Sequence, residues 1–247
     1  MQNITDLGIS ALDLIALAWF VTTWFGYVVF THYRCDKKTT GIVAEMNLVR
    51  LEWALELLER DNRMMDSQVI NSLINKATFF ASTTILIVAS VLALMSVGDE
   101  VFDLFENIPF AQKTSNILWM LKVLVLVMVF MFAFFKFTWA IRQHSICATL
   151  MASIPSFEHS DTPKAQLKAR QLAKISSLAS NLFNDGLRAY YFAVAELSWF
   201  YHPLAFMFAT TWVAIVLYRR EYHSKAHAIL SNKELPNAEA GKVISTS

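Results

Sequence analysis

The sequence has few of the residues that build disulfide-rich, collagen-like or disordered proteins. Its 247 residues include only two cysteines, six glycines and five prolines. Two cysteines are too few for a disulfide scaffold, and so little glycine and proline excludes a collagen-like or low-complexity chain. The formal net charge of +1 leaves no basic excess for nucleic acid, so we expect no nucleic-acid partner.

Charge is missing altogether from two long stretches of the chain. No Asp, Glu, Lys or Arg occurs in residues 14–31 or in residues 77–98. Hydrophobic residues make up 55% of the chain, charged residues 17%, and the mean hydropathy is +0.41. Because a soluble enzyme disperses its apolar residues instead of collecting them in blocks, this pattern argues against one and indicates an integral membrane protein.

The apolar blocks predict an all-α helical bundle with five membrane crossings. A bilayer core about 30 Å thick needs roughly 20 helical residues. Four blocks reach that length: 11–31, 77–98, 115–139 and 187–218. The last block is too long for one crossing at an ordinary tilt, and Pro203 in its middle favours the start of a new helix. We divide it into a short hairpin of two spans, about 184–201 and 203–219. The alternative is a single crossing, which gives four spans.

The distribution of Lys and Arg favours five spans, with the N-terminus outside and the C-terminus in the cytoplasm. Of the 21 Lys and Arg residues, 19 then fall on or near the cytoplasmic side, as the positive-inside rule requires. With four spans, Arg219 and Arg220 would lie outside. We expect a single membrane domain over residues 1–230 and a disordered tail over residues 231–247.

Two amphipathic stretches predict helices on the cytoplasmic side, about 41–66 and 164–183. Each carries an apolar stripe at helical spacing, with polar residues around it. Asp66 or Ser67 is the predicted cap of the helix that enters the membrane next. The two helices either pack together beneath the spans or lie flat on the lipid surface.

Several short motifs resemble those of one membrane-protein family. They are Arg63–Gln68 (RMMDSQ), Phe79–Thr84 (FFASTT), Ala133–Trp139 (AFFKFTW), Gly186–Phe192 (GLRAYYF) and Arg219–Glu221 (RRE). In this order they are similar to the bacterial membrane family known as domain of unknown function 599 (DUF599), and the resemblance extends from about residue 5 to residue 230. The resemblance implies a multi-pass protein of the bacterial inner (plasma) membrane. It implies no activity.

Three ionisable residues near the outer ends of the predicted spans form the first candidate site. Lys122 and Glu196 each lie three residues inward from a tryptophan, and therefore at a shared depth about 4.5 Å below the outer interface. Asp13 lies at the outer end of the first span. Because charges inside a bilayer need partners, we predict an ion cluster of these residues, which either fixes the helix register or binds a coupling ion or proton.

A polar layer deeper in the bundle is the second candidate site. Arg188 lies 11 residues inward from Trp199, near the membrane middle or slightly toward the cytoplasm. Hydroxyl side chains of three other spans are predicted at a similar depth: Thr22, Thr23, Ser82, Thr83, Thr84, Thr210 and Thr211. Such a layer is suited to an anion or a polar solute. Alternatively, the hydroxyls bond their own helices and Arg188 pairs with Glu196 or Asp185.

Two His-x-x-Cys pairs follow spans that end on the cytoplasmic side: His32 with Cys35, and His144 with Cys147. Zinc accepts these ligand types, but the pattern is much less diagnostic than paired Cys-x-x-Cys motifs. Interfacial histidines and reduced thiols are the alternative. The chain has no glycine-rich phosphate loop and no hydrolase or metalloprotease motif. We therefore predict no catalytic residue, no metal and no cofactor.

These features leave three functions open. The first is a small channel or transporter-like protein for an anion or polar solute, with a homo-oligomer as one possible arrangement. The second is a non-catalytic scaffold or assembly factor that binds a protein partner through its cytoplasmic helices. A membrane enzyme acting on lipid is the third, although no residue spacing requires it. A polar cavity lined by Arg188 would favour the first function, and a filled bundle with an exposed cytoplasmic groove would favour the second.

Overall fold

The computed structural model describes residues 10–38, 41–96, 115–155 and 162–231, and within these ranges it contains helices and no strand. The described residues form seven α-helices: α1 (Ala11–Lys38), α2 (Ile42–Glu56), α3 (Met64–Ser96), α4 (Asn116–Ala152), α5 (Pro163–Glu196), α6 (Pro203–Tyr222) and α7 (Lys225–Leu230). Short 3-10 helices follow α2 and α5, at Leu57–Glu59 and Leu197–Phe200. The predicted all-α class is therefore confirmed.

Three of these helices are long and apolar enough to cross a membrane. The apolar segments are Ala11–Thr31 in α1, Met64–Ala93 in α3 and Asn116–Ala152 in α4. They contain the first three predicted spans, apart from the last residues of the second and the first residue of the third. The 37 residues of α4 make a helix about 55 Å long at 1.5 Å per residue, so α4 is much longer than a bilayer core. The helices of the predicted hairpin, α5 and α6, are not among the three.

Five helices, α1, α3, α4, α5 and α6, form the main bundle. Helix α4 packs against α3 and α5, while α6 packs against α1 and α5. Aromatic side chains fill the centre, where the rings of Phe20, Trp24, Phe192 and Phe206 lie with centroids 5.1–6.1 Å apart. Rings at these distances attract one another and fill volume efficiently. The middle of the bundle is therefore a packed aromatic core.

The bundle has two ends that are named here by the residue at their centre. At the Trp199 end, Trp199 contacts Asp13 of α1 and Lys122 of α4. At the Arg188 end, Arg188 contacts Thr31 of α1 and Glu221 of α6. Phe206, near the start of α6, stacks on Trp199, so these contacts establish that α1 and α6 run in the opposite direction to α5.

A second group of helices, the helical layer, lies beyond the Arg188 end. It consists of α2, the last turns of α4 and the first half of α5, which share a core that includes Leu57, Cys147 and Leu172. Arg63, in the connection between α2 and α3, donates hydrogen bonds to the carbonyls of Ile154 (2.9 Å) and Pro155 (2.7 Å). The two predicted amphipathic helices thus pack against each other within this layer.

The start of α3 differs from the prediction. The helix predicted over residues 41–66 stops after Glu59, and α3 begins at Met64, whose backbone N–H donates to Asn62 Oδ1 at 2.9 Å. Asp66 does not cap the helix. Its Oδ1 instead accepts hydrogen bonds from Trp53 Nε1 (2.8 Å) and Arg60 Nη1 (2.6 Å). Trp53 of α2 and Arg60 of the connection after it therefore bond one oxygen of the carboxylate that the sequence assigned to capping.

The boundary between the second amphipathic stretch and the fourth span also differs. Residues 164–183 and 184–201 do not form two helices, because α5 continues without a break to Glu196. The following helix begins at Pro203, as predicted, and His202 Nδ1 accepts the hydrogen bond of the Leu204 N–H at 3.1 Å. The predicted tail lies outside the described residues, except for residue 231.

Candidate functional site

Trp199 connects the buried charges at the Trp199 end. Its indole Nε1 donates a hydrogen bond to Asp13 Oδ1 at 2.9 Å, and its carbonyl accepts one from Lys122 Nζ, also at 2.9 Å. The Lys122 ammonium also lies 5.6 Å from the centroid of the indole ring, within the range of a cation–π contact. All three residues are at most 2% exposed: Asp13, Lys122 and Trp199. The structure thus brings Asp13 and Lys122 together through the tryptophan.

Glu196, the third member of the predicted ion cluster, makes no such contact. It is fully buried, and neither of its carboxylate oxygens has a hydrogen-bond partner within the described part of the chain. Thr210 Oγ1 is buried and unpartnered in the same sense. Glu196 therefore lies in the same end of the bundle without joining the hydrogen bonds around Trp199.

Arg188 joins three helices at the opposite end. Its Nη1 donates to Thr31 Oγ1 of α1 (3.3 Å) and to Asp185 Oδ1 of α5 (3.1 Å). Its Nη2 lies 3.5 Å from Glu221 Oε2 of α6, and the guanidinium lies 5.7 Å from the centroid of the Tyr27 ring. Arg188 is only 9% exposed, so these partners offset the cost of burying its charge.

Two further contacts extend this network to α4 and α2. Lys136 Nζ lies 3.0 Å from Asp185 Oδ2, and Glu221 Oε1 accepts a hydrogen bond from the Val43 N–H at 3.2 Å. The network thus contains two cations, Lys136 and Arg188, and two carboxylates, Asp185 and Glu221. Because their formal charges balance, the network can lie at the junction between the bundle and the helical layer without a large net charge.

The hydroxyl side chains predicted to surround Arg188 have other partners. Four of them donate to the carbonyl four residues earlier in their own helix, at 2.6–2.8 Å: Thr22, Thr83, Thr84 and Thr211. Two of these also bond another helix, since Thr84 shares a hydrogen bond with Tyr190 (2.7 Å) and Thr211 accepts one from Trp19 (3.1 Å). Thr210 is buried, Thr23 is half-buried and Ser82 is exposed. No described hydrogen bond joins any of the seven to Arg188.

The direction in which side chains extend from α5 explains why the Arg188 guanidinium does not lie at the depth of the predicted hydroxyl groups. The prediction used the rise per residue, and hence the position of the Arg188 backbone. In an α-helix, however, side chains lean toward the N-terminus, which in α5 is the direction of the helical layer. A long arginine side chain also extends its charge toward a polar boundary. The guanidinium therefore reaches Thr31, the last residue of the apolar segment of α1, and Glu221, near the end of α6.

A cavity of about 180 Å³ lies beside Arg188, between α1, α2, α5 and α6. Its polar lining consists of two guanidiniums, two phenols, an amide and a carboxylate: Arg188, Arg220, Tyr27, Tyr191, Asn184 and Glu221. Arg220 is exposed, and its Nη1 donates to the Tyr191 hydroxyl at 2.7 Å. The cavity therefore has room and hydrogen-bond donors for a small anion or polar solute.

A larger groove of about 530 Å³ lies in the helical layer between α2 and α5, and is called the α2–α5 groove below. Its lining includes Leu51 and Asn47 of α2, with Arg170 and Lys174 of α5. Arg50 donates to Asn47 Oδ1 at 3.0 Å. Burial lowers the pKa of Arg50 from its usual value, although an arginine keeps its proton at neutral pH.

The two His-x-x-Cys pairs do not form a described metal centre. The side chains of His32 and Cys35 lie outside the described part of the structure. His144 and Cys147 are buried, and Cys147 is a free thiol. Among the described residues, no group of three or more His, Cys, Asp or Glu side chains could hold a metal ion.

The match to a family model identifies the chain's relatives. A model described as a protein of unknown function, DUF599, matches residues 15–226, which is most of the chain. The chain belongs to the DUF599 family. No curated protein and no solved structure matches the chain. Membership in DUF599 confirms the resemblance found in the motifs, but it supplies no activity, so the function has to be inferred from the geometry.

Sequence reasoning missed several residues that organise the two ends of this DUF599 protein. It used Trp199 only as a marker of depth, and it gave no role to Lys136 or Glu221. The pairing of Arg188 with Asp185 could be predicted from the sequence, because residues three apart lie side by side on a helix surface. No local signal connects α5 with Thr31 or Glu221.

Proposed function

We propose that this DUF599 chain is a bacterial inner-membrane protein that crosses the bilayer five times, with its C-terminus in the cytoplasm. Three apolar helices support the first three crossings. The hairpin of α5 and α6 extends between the same two ends of the bundle, since Trp199 stacks on Phe206 at one end (5.0 Å between centroids) and Arg188 meets Glu221 at the other. A hairpin packed in this way is expected to cross with its neighbours.

Within this topology, we propose that the cavity beside Arg188 binds a small anion or a polar solute from the cytoplasm. The observation that carries this proposal is the convergence of Arg188 and Arg220 on one cavity. Guanidinium groups bind carboxylates and phosphates through paired, charge-assisted hydrogen bonds. Glu221 lines the same cavity and is placed to accept a hydrogen bond from a donor group of the solute.

The packed centre of the bundle favours a gated binding site over an open channel. Phe20, Trp24 and Phe192 fill the space between the Arg188 cavity and the Trp199 end with mutually contacting rings. A solute bound beside Arg188 could proceed further only if these rings rearranged. We therefore propose a transporter-like protein in a conformation whose binding site opens toward the cytoplasm.

Anion binding can be tested by removing one of two adjacent arginines. Arg220 lines the cavity, whereas its neighbour Arg219 is also exposed but does not line it. Phosphate, sulfate and succinate are titrated in turn into the full chain in nanodiscs, and the melting temperature is followed. Because binding to the folded state stabilises it, we expect at least one anion to raise the melting temperature. Arg220→Ala should weaken that binding about tenfold, equivalent to about 1.4 kcal/mol, and Arg219→Ala should leave it unchanged.

Two outcomes would contradict anion binding. Either none of the three anions stabilises the unsubstituted chain, or Arg219→Ala and Arg220→Ala weaken binding equally. Equal effects would indicate that the anion is attracted by the positive charge of both arginines and does not bind in the cavity.

The second candidate function is a non-catalytic scaffold or assembly factor, and the α2–α5 groove favours it. This groove has about 530 Å³ of space, against about 180 Å³ for the Arg188 cavity. It lies in the helical layer, beyond the bundle, where the proposed topology places it in the cytoplasm. A filled bundle beneath an accessible groove is the arrangement expected of a protein that recruits a partner to the membrane.

A further inference from the structure

The first half of α5 carries positive charge only. Between residues 163 and 183 there are four cations, Lys164, Lys168, Arg170 and Lys174, and no Asp or Glu. Lys168 already has a partner within the helical layer, because its ammonium donates a hydrogen bond to the Ser153 carbonyl. Arg170 and Lys174 are exposed, and within the described residues neither forms an ion pair. Arg170 and Lys174 are therefore two cations of this surface that are free of ion pairs within the described residues.

Both cations line the α2–α5 groove, together with apolar side chains at its two ends. Arg170 and Lys174 are four residues apart and so lie on the same face of α5. Leu167 and Leu178 continue this stripe on either side, and they are 57% and 45% exposed. Leu51 of α2 lines the groove as well. The surface thus combines a basic centre with exposed leucines.

The length of this stripe matches a short helical ligand. From Leu167 to Asn181, both of which line the groove, the stripe extends about 21 Å along α5 at 1.5 Å per residue. A bound helix of about four turns would cover it. Recognition of an amphipathic helix in a groove uses several apolar anchors along one face of the bound helix. Leu167 and Leu178, 11 residues apart on α5, provide apolar contacts near the two ends of such a helix.

The charge of the groove selects among such ligands. Covering Arg170 and Lys174 with a neutral or basic helix would remove water from two cations without providing acceptors, which costs free energy. A helix with carboxylates opposite them would restore the lost hydrogen bonds. No carboxylate is among the residues lining the groove in the described part of the chain.

The position of the groove favours a protein partner over the membrane surface. Lys174 lies 25 residues before Trp199, which marks the outer interface, and is therefore about 38 Å from it along the axis. The hydrocarbon core and the inner headgroup layer together measure about 35–38 Å. In the proposed topology the headgroups therefore end near Lys174, and the part of the groove formed by Arg170 and Leu167 lies beyond them.

We infer that the α2–α5 groove binds an acidic amphipathic helix of a cytoplasmic protein partner. The inference rests on the scaffold function proposed above and adds the chemistry of the partner. The carboxylates of the partner pair with Arg170 and Lys174, while its apolar residues contact Leu51, Leu167 and Leu178.

A displayed library of helical peptides, panned against the full chain in phosphatidylcholine nanodiscs, tests this inference. We expect the selected peptides to be acidic, with leucine-like residues at helical spacing. A selected peptide is then synthesised, and its dissociation constant is measured by fluorescence anisotropy. The double variant Arg170→Glu/Lys174→Glu should raise the dissociation constant at least about tenfold. Raising NaCl from about 0.05 M to about 0.5 M should also weaken binding, because salt screens exposed charges.

Lys164→Glu is the matched control, because Lys164 is an exposed cation of the same helix that does not line the groove. It should leave the dissociation constant within about twofold of the unsubstituted value. The melting temperature of each variant checks that it folds. If the charge-reversed double variant is unstable, Arg170→Gln/Lys174→Gln replaces it, and weaker binding is still required.

The outcomes that would contradict the inference also show whether the scaffold function fails with it. Selected peptides that are neutral or basic but compete with one another for the groove would overturn the inference and leave the scaffold function standing. If no peptide is selected at the groove, both fail. Binding to vesicles of phosphatidylcholine with phosphatidylglycerol that is lost in Arg170→Glu/Lys174→Glu would assign the groove to the lipid surface and overturn the inference.

Discussion

Gly186 shows how a single residue sets the distance between two helices. A Cβ atom at this position would lie 2.5 Å from Cε1 of the Phe137 ring. Phe137 is fully buried, and its ring is surrounded by those of Phe80, Phe183 and Tyr190, with centroids 5.4–5.8 Å away. The ring has little room to move. A glycine inside a helix normally costs stability relative to alanine, and here it permits the close packing of α4 and α5.

Gly186→Ala should therefore destabilise the protein by about 1–3 kcal/mol, the usual cost of overpacking a filled core. Gly26→Ala is the matched control, because a Cβ at Gly26 would have no neighbour within 4 Å. That change should be neutral or stabilise α1 by up to about 1 kcal/mol. Both effects are measured by unfolding in detergent. Equal effects of the two substitutions would show that the contact with Phe137 does not determine the packing.

At the scale of elements, α5 is the helix that joins the bundle to the helical layer. Its 34 residues correspond to about 51 Å, so it carries the groove, the Arg188 network and Glu196 in succession. Asp185 is the central acceptor, since it bonds Lys136 of α4 as well as Arg188. Removing this carboxylate leaves two cations with one fewer partner each.

Asp185→Asn should accordingly cost about 3–5 kcal/mol, as expected when one member of a buried ion pair is removed. Asp185 is only 1% exposed, whereas the Glu56–Arg60 pair of the helical layer has side chains 67% and 41% exposed. Glu56→Gln is therefore the control and should cost less than about 0.5 kcal/mol. Denaturant unfolding compares the two variants. A cost below about 1 kcal/mol for Asp185→Asn would mean that water or other groups replace the carboxylate.

The sequence predicted which segments form helices better than it predicted where those helices begin and end. Pro203 correctly indicated the start of α6, because proline fixes the backbone angle of a first helical turn and lacks the donor that such a turn leaves unused. The ranges 164–183 and 184–201, which the sequence assigned to a cytoplasmic helix and to a span, belong to one helix as far as Glu196. The predicted cap, Asp66 or Ser67, was wrong because α3 begins before both residues, at Met64. Asp66 instead accepts hydrogen bonds from Trp53 and Arg60.

At the scale of the whole molecule, the two ends of the bundle differ in their chemistry. The Trp199 end buries Asp13, Lys122 and Glu196 around or beside a tryptophan, while the Arg188 end has a cavity with exposed Arg220. The proposed five crossings place the first end outside the cell and the second toward the cytoplasm. This arrangement also places the helical layer and both cavities on one side of the membrane.

Cysteine labelling of intact cells tests this topology. Tyr201→Cys and Lys225→Cys are introduced separately after Cys35 and Cys147 have been replaced by alanine, since residues 201 and 225 are exposed near opposite ends of the bundle. A membrane-impermeant maleimide added outside should label residue 201, and it should label residue 225 only after the cells are permeabilised. With four crossings, residue 225 would be labelled from outside and residue 201 would be shielded by the membrane.

The sequence by itself determined the all-helical class, the three apolar helices, the first residue of α6 and membership in DUF599. These features depend on local composition, backbone chemistry or short motifs, which can be recognised without a partner. Only the tertiary structure determined that Arg188 meets Thr31 and Glu221 and that Trp199 joins Asp13 to Lys122. Such contacts depend on the register of helices distant in sequence and on the direction in which long side chains extend, and residue spacing along a single helix encodes neither.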